Sequence, residues 1–246
     1  MSGDASQQLQ RLLGAVVARL AHDLKNPLAV VLSNVRFLEE EVTPDSDAAE
    51  ALAETEQSAE LLRAMLDDAV DSLRIGAGTY RVESRPLDLG EIEPALAERL
   101  SGRLGSRKLR VEMPERTIDT DAKLVKRALC ALLEHAVRQS PPGDEISVVG
   151  RIVTRDGSEV LEIEVIDGGQ PFDPNRPPTF VVQDFSGRTP SPDHRSDRGL
   201  GLGFAGAALR AAGAEVDVTA REDGEEGARF LIALPLAGSV SSGDGA

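Results

Sequence analysis

His22 stands beside a carboxylate and one helical turn ahead of a carboxamide, in the run His22-Asp23-Leu24-Lys25-Asn26-Pro27-Leu28. An imidazole next to a carboxylate makes a good nucleophile, because the carboxylate fixes the tautomer and takes the proton. Leu20 and Leu24 lie two residues to either side. Two residues is about 200° around a helix, which turns His22 away from an apolar seam and toward solvent. A lone histidine is most often only a surface residue; here its neighbours suggest chemistry. Pro27 gives the site local freedom. Two glycine-rich runs could meet phosphate: Asp167-Gly168-Gly169-Gln170-Pro171, and Gly199-Leu200-Gly201-Leu202-Gly203-Phe204. Glycines at a helix N-terminus let phosphates approach free N–H groups. By itself Asp-Gly-Gly after a strand is a common turn. The second run is also compatible with a dinucleotide fingerprint, but it lies near the C-terminus without the first βαβ unit that fingerprint needs.

The elements that must carry these residues fall in two halves. Over residues 8–41, Leu13, Val17, Leu20, Leu24, Leu28, Val31, Val35 and Leu38 recur every three or four positions. This predicts a long amphipathic helix with a bundle-like seam, kinked or loosened at Pro27. Thr43 to Asp47 is a turn, and Leu52, Ala59, Leu62, Leu66, Ala69 and Leu73 mark a second helix that ends at Gly76-Ala77-Gly78. Two such helices bury little alone, so a dimer forming a four-helix bundle through residues 8–75 is expected. From Tyr80 the pattern becomes α+β. A helix entry stands at Leu87 to Glu91, a short strand at Leu109 to Met113 and a helix at Asp121 to Gln139. Strands follow at Ile146–Val153 and Val160–Ile166, then a glycine-opened helix at Gly199–Ala212 and closing strands at Ala214–Thr219 and Ala228–Leu234. The proline-rich stretch from Pro171 to Arg198 is long enough to be functional or disordered. The expected domains are 1–78, 79–237 and a low-complexity tail, 238–246.

Composition limits the partners. Among 246 residues, 42 acidic and 27 basic side chains give a net charge of −15. Nucleic acid and anionic membrane would be repelled, and six Phe, one Tyr and no Trp argue against base stacking. No run approaches the roughly 18 apolar residues of a membrane span. The polar N-terminus is no signal peptide. Cys130, the single cysteine, permits neither an internal disulfide nor a cysteine metal cluster. A cytoplasmic protein without membrane insertion is expected.

His22-Asp23-Leu24-Lys25-Asn26-Pro27-Leu28 resembles the phosphoacceptor box of two-component sensor histidine kinases. The likeness extends over roughly residues 8–236. Leu132-Leu133-Glu134-His135-Ala136-Val137-Arg138-Gln139-Ser140-Pro141 resembles the family's N box, Asp167-Gly168-Gly169 its G1 box and Gly199 to Phe204 its G2 box. Their order in one chain is more specific than any one of them. The resemblance implies a helical hairpin followed by an α/β-sandwich ATP-binding domain. It implies that His22 is phosphorylated on a ring nitrogen, that Asp23 is the general base and that Asn26 helps orient water in dephosphorylation. Nucleotide would be met by His135, Arg138, Asp167, Gly169, Gly199, Gly201, Leu202 and Gly203, with Asp167 on the adenine amino group and residues 172–198 as a lid; Phe180 and Phe185 could anchor that lid or equally belong to the core. The expected cofactors are ATP and Mg2+, the expected partner a response regulator receiver domain. With 21 residues ahead of His22, input is expected from a separate sensor protein.

Three positions depart from the family pattern. His135 replaces the magnesium-binding Asn, Ala131 the first Asn of the N box, and Pro171 the second glycine of G1. Mg2+ wants oxygen ligands, whereas imidazole suits transition metals. A metal role for His135 therefore stands against a bland one, a hydrogen bond to phosphate or packing at the helix end. These departures keep two alternatives beside the kinase: a phosphotransferase or pseudokinase relaying phosphate between regulators through His22, and a binding module without phosphotransfer.

Overall fold

α1 (Ser2–Glu41) runs for 40 residues and continues through Pro27. Residues 2–44, 46–172, 178–181, 200–221 and 224–236 are described by the computed structural model. Two units divide between Tyr80 and Arg81. In the first, Ser46 opens α2 (Asp47–Gly76), its Oγ accepting from the Ala49 N–H at 3.2 Å. α1 and α2 run antiparallel. Lys25 pairs with Asp67 near one end, and Arg36 donates to Glu56 at 2.6 Å and Glu60 at 3.1 Å near the other. Glu56 foremost holds the Arg36 pKa above its ordinary value.

The seam between the helices is only in part the one the spacing suggests, keeping Val35 and Leu28. Ala21, Leu32 and Val35 are buried against α2, with Lys25 and Leu28 half-buried beside them. Leu20, Leu24, Val31 and Leu38 are 55%, 44%, 43% and 46% exposed. α1 therefore carries two apolar stripes about a quarter-turn apart, and the hairpin consumes only one. The side chain of Leu13 lies outside the described residues.

The second unit is a two-layer α+β structure. β1 (Arg85–Asp88) pairs antiparallel with β3 (Thr117–Thr120) in a two-stranded ribbon. A 3-10 turn, Leu89–Glu91, leads into α3 (Ile92–Leu100), with the Asp88 carboxylate accepting from the Gly90 N–H. β2 (Lys108–Glu112), β4 (Glu145–Arg155), β5 (Ser158–Asp167), β7 (Ala228–Pro235) and β6 (Glu215–Ala220) form the main sheet in that spatial order. β2 lies parallel to β4 and the other pairs are antiparallel. Alternation along β5 and β7 buries Leu161, Ile163 and Val165 opposite Leu234, Ile232 and Phe230. α3, α4 (Ala122–Gln139) and α5 (Leu200–Ala211) make the helical layer. Asp121 caps α4, accepting from the Leu124 N–H at 2.9 Å and, with its other oxygen, from the Glu83 N–H at 3.1 Å. Among the described residues no helix is long and apolar enough to cross a membrane.

Residues 178–181 are clamped to α5. Phe180 is fully buried and packs edge-on against Phe230 at 5.3 Å between centroids. Arg210 donates from Nη1 to the carbonyls of Phe180 and Val181 at 2.8 and 3.1 Å, and burial pushes its pKa down. A Cβ built on Gly206 would stand 1.9 Å from the Phe180 carbonyl oxygen. Glycine is therefore required at Gly206 by a backbone that packs across it. Elsewhere Gly→Ala in a helix gains about 0.5–1 kcal/mol. Here Gly206→Ala is expected to destabilise the second unit by about 2–4 kcal/mol. Urea unfolding of the full chain measures it, and an unchanged midpoint would show that residues 178–181 yield without cost.

Candidate functional site: an exposed histidine and a nucleotide-type pocket

The sequence-predicted site residues lie in both units. In the first, His22, Asp23 and Asn26 are all exposed on α1. Asp23 Oδ2 accepts from Arg19 Nε at 3.1 Å, an i,i+4 pair on the helix surface. Such exposed pairs stabilise little, but this one places a guanidinium on the turn that carries His22. Lys25, three residues after His22, is bound to Asp67 of α2.

In the second unit the turn after β5 and the first turn of α5 lie beside α4 and the loop that leaves it. Asp167 is fully buried, and its Oδ1 accepts from the Gly169 N–H at 3.0 Å and the Ala228 N–H at 3.4 Å. The carboxylate thus ties the Asp-Gly-Gly turn to the start of β7. A Cβ on Gly168 would stand 2.0 Å from Asp144 Oδ2, so this turn lies against the loop that leaves α4. The first turn of α5 lies against Ala131: a Cβ on Gly201 would meet the Ala131 Cβ and carbonyl oxygen at 3.9 Å, ordinary contact. Packing therefore does not demand glycine at Gly201. A position without a side chain suits a ligand that approaches the backbone closely. Leu202 and Gly203 are buried, and Gly169 is buried beneath the turn. Arg127 lies over the Phe204 ring at 4.8 Å, holding α4 to α5. Gly199, Phe185 and most of the expected lid lie outside the described residues. Of the two roles open to Phe180, lid anchor or core, the structure gives the core.

His135 does not face an open cavity. It is 1% exposed, and its ring lies parallel to that of Phe172, at 7° with centroids 6.2 Å apart. Phe230 meets both rings edge-on, at 6.3 and 5.9 Å. Arg138, three residues later on α4, is exposed. The residue types fit a nucleotide: a buried carboxylate, glycines that open a helix and an exposed arginine. They do not fit Mg2+. A buried imidazole between aromatic rings offers no oxygen to a hard ion, and the described residues contain no group of three or more His, Cys, Asp or Glu placed to hold a metal. Sequence reasoning missed Phe172. Its only signal was its place directly after Pro171.

Comparison with known proteins agrees with this arrangement. Residues 12–78 match the His Kinase A (phospho-acceptor) domain. Residues 120–238 match the histidine kinase-, DNA gyrase B- and HSP90-like ATPase family. Sensor histidine kinase AtsR of Burkholderia thailandensis is 24% identical over 250 residues, 99% of this chain and 41% of that protein. Sensor protein KdpD of Mycobacterium tuberculosis is 30% identical over 210 residues, 82% of this chain and 23% of that protein. The chain therefore spans less than half the length of these curated relatives. The fold is shared with Acinetobacter baumannii histidine kinase AdeS, at 15% identity and TM-score 0.57, covering 88% of this chain and 98% of that one. It is shared also with full-length ShkA, solved in complex with AMPPNP, at 22% identity and TM-score 0.65, covering 90% and 46%. A phosphoacceptor hairpin followed by an ATPase-type domain, with relatives matched across both, makes this chain a member of the two-component histidine kinases over their transmitter region.

Proposed function

We propose that the chain transfers the γ-phosphoryl group of ATP to a ring nitrogen of His22 and from there to an aspartate of a response regulator receiver domain. The observation that carries this reading is the exposed imidazole beside a carboxylate, on a hairpin of the phosphoacceptor family. Asp167 receives the adenine amino group, the backbone at Gly169, Gly201, Leu202 and Gly203 meets the nucleotide, and Arg138 meets phosphate charge. In the transfer the P–O bond to the departing ADP breaks, a P–N bond to His22 forms, and Asp23 takes the imidazole proton. Positioning and charge neutralisation supply most of the rate. Asn26, one turn from His22, orients water when the phosphoryl group is hydrolysed. The second unit corresponds to the catalytic domain and the first to the phosphoacceptor. ATP places the reaction in the cytoplasm. Incubation with γ-labelled ATP should give an acid-labile, alkali-stable label on the chain; a chain that stays unlabelled refutes the kinase reading.

The same reading makes the hairpin a homodimer. Leu20, Leu24, Val31 and Leu38 line one side of α1 away from α2 and lack a partner within the hairpin. A second copy of the stripe covers them as a four-helix bundle. Val31→Glu places a charge in that seam and is expected to weaken dimerisation at least about 100-fold. Sedimentation equilibrium checks it. A Val31→Glu dimer as tight as the parent would move the interface off this stripe.

A further inference from the structure

We infer that the second unit binds its nucleotide without a protein-held magnesium ion, the phosphates being met by Arg138 and the backbone of the first turn of α5. This rests on the nucleotide reading proposed above and adds to it.

The N-box departure at His135 meets Phe172, the residue that follows the departure at Pro171. His135 projects from α4, Phe172 from the segment after Pro171, and the two rings lie face to face at 6.2 Å. Phe230 of β7 closes the edge of both, and Phe180 backs Phe230. The imidazole Nε2 is buried from solvent. Mg2+ takes about six oxygens in near-octahedral geometry and gives up water reluctantly. A buried ring nitrogen, a poor partner for a hard ion, does not serve as its ligand. Ala131, one turn back on the same helix, offers no oxygen from its side chain either. The charge must then be met without the ion. Arg138 is exposed in the last turn of α4. α5 is 12 residues long, and its first turn supplies N–H groups and the positive end of a helix dipole.

The test is calorimetric titration of the full chain with AMPPNP, in excess Mg2+ and again in excess EDTA. The two dissociation constants are expected to agree within about twofold. Arg138→Ala should weaken binding about tenfold or more in EDTA, because an exposed charge-assisted contact to phosphate is lost. His135→Asn together with Phe172→Ala should make magnesium tighten binding, since a carboxamide oxygen then faces open space. Tightening of the parent chain by magnesium of about tenfold or more would overturn this inference and leave the nucleotide reading intact. Absence of AMPPNP binding under both conditions would overturn both.

Discussion

Replacing His22 by alanine is expected to remove the phosphoryl label entirely while leaving the fold unchanged. The chain has three histidines. His135 is buried behind Phe172 and cannot receive a phosphoryl group without unpacking. His194 lies outside the described residues, so His194→Ala is the control and should label like the parent. His22 is exposed on a helix surface, where alanine is the better helix former by a few tenths of a kcal/mol. Thermal unfolding should therefore be unchanged, which separates a lost nucleophile from a lost structure. Asp23→Asn keeps the size of the side chain and removes its basicity. Its labelling rate should fall about 100-fold or more, the ordinary contribution of a positioned base. Label that survives His22→Ala would place the acceptor elsewhere. A parent chain that takes phosphate from a phosphorylated receiver but not from ATP would make it a relay protein instead.

Helix formation was legible in the spacing of apolar residues; the neighbour each face meets was not. Leu20, Leu24, Leu28, Val31, Val35 and Leu38 read as one seam from their periodicity, yet of these only Val35 is buried and Leu28 half-buried, joined by Ala21 and Leu32, which the periodicity left out. An apolar stripe shows which side of a helix avoids water and is silent on which partner covers it. α1 has two stripes because two partners are needed, α2 and, by the proposal above, a second copy. β1 and β3 escaped because each is four residues long. Leu87 alone, and Ile118 with Thr120, are too few buried positions to show a period of two. The chemistry of the site was legible where it is local. Asp167 with its glycines, and the helix opened by Gly201 and Gly203, announce themselves in a few consecutive residues. The stacking of His135 on Phe172 joins distant segments, and the need for Gly206 arises from the backbone of Phe180. Contacts of that kind depend on tertiary packing, which no window of sequence records.

Asp167 separates binding from folding most cleanly. Its Oδ1 holds the N–H groups of Gly169 and Ala228, joining the end of β5 to the start of β7. The side chain is completely buried. Asp167→Asn retains an oxygen that can accept from both N–H groups, so the turn should survive and the unfolding midpoint should change little. What it removes is the carboxylate: an amide presents its N–H2 to the adenine amino group, donor against donor. AMPPNP affinity should fall about 100-fold or more, the size of a buried polar mismatch. Asp167→Ala removes the acceptor as well. Two buried backbone N–H groups are then stranded at about 1–3 kcal/mol each, so this variant should lose both stability and binding. Calorimetric titration and urea unfolding on the two variants distinguish the roles. Undiminished AMPPNP affinity in Asp167→Asn would take Asp167 out of the adenine site and leave it the structural tie between β5 and β7. Asp167→Ala as stable as the parent would show that water reaches the turn and replaces the carboxylate.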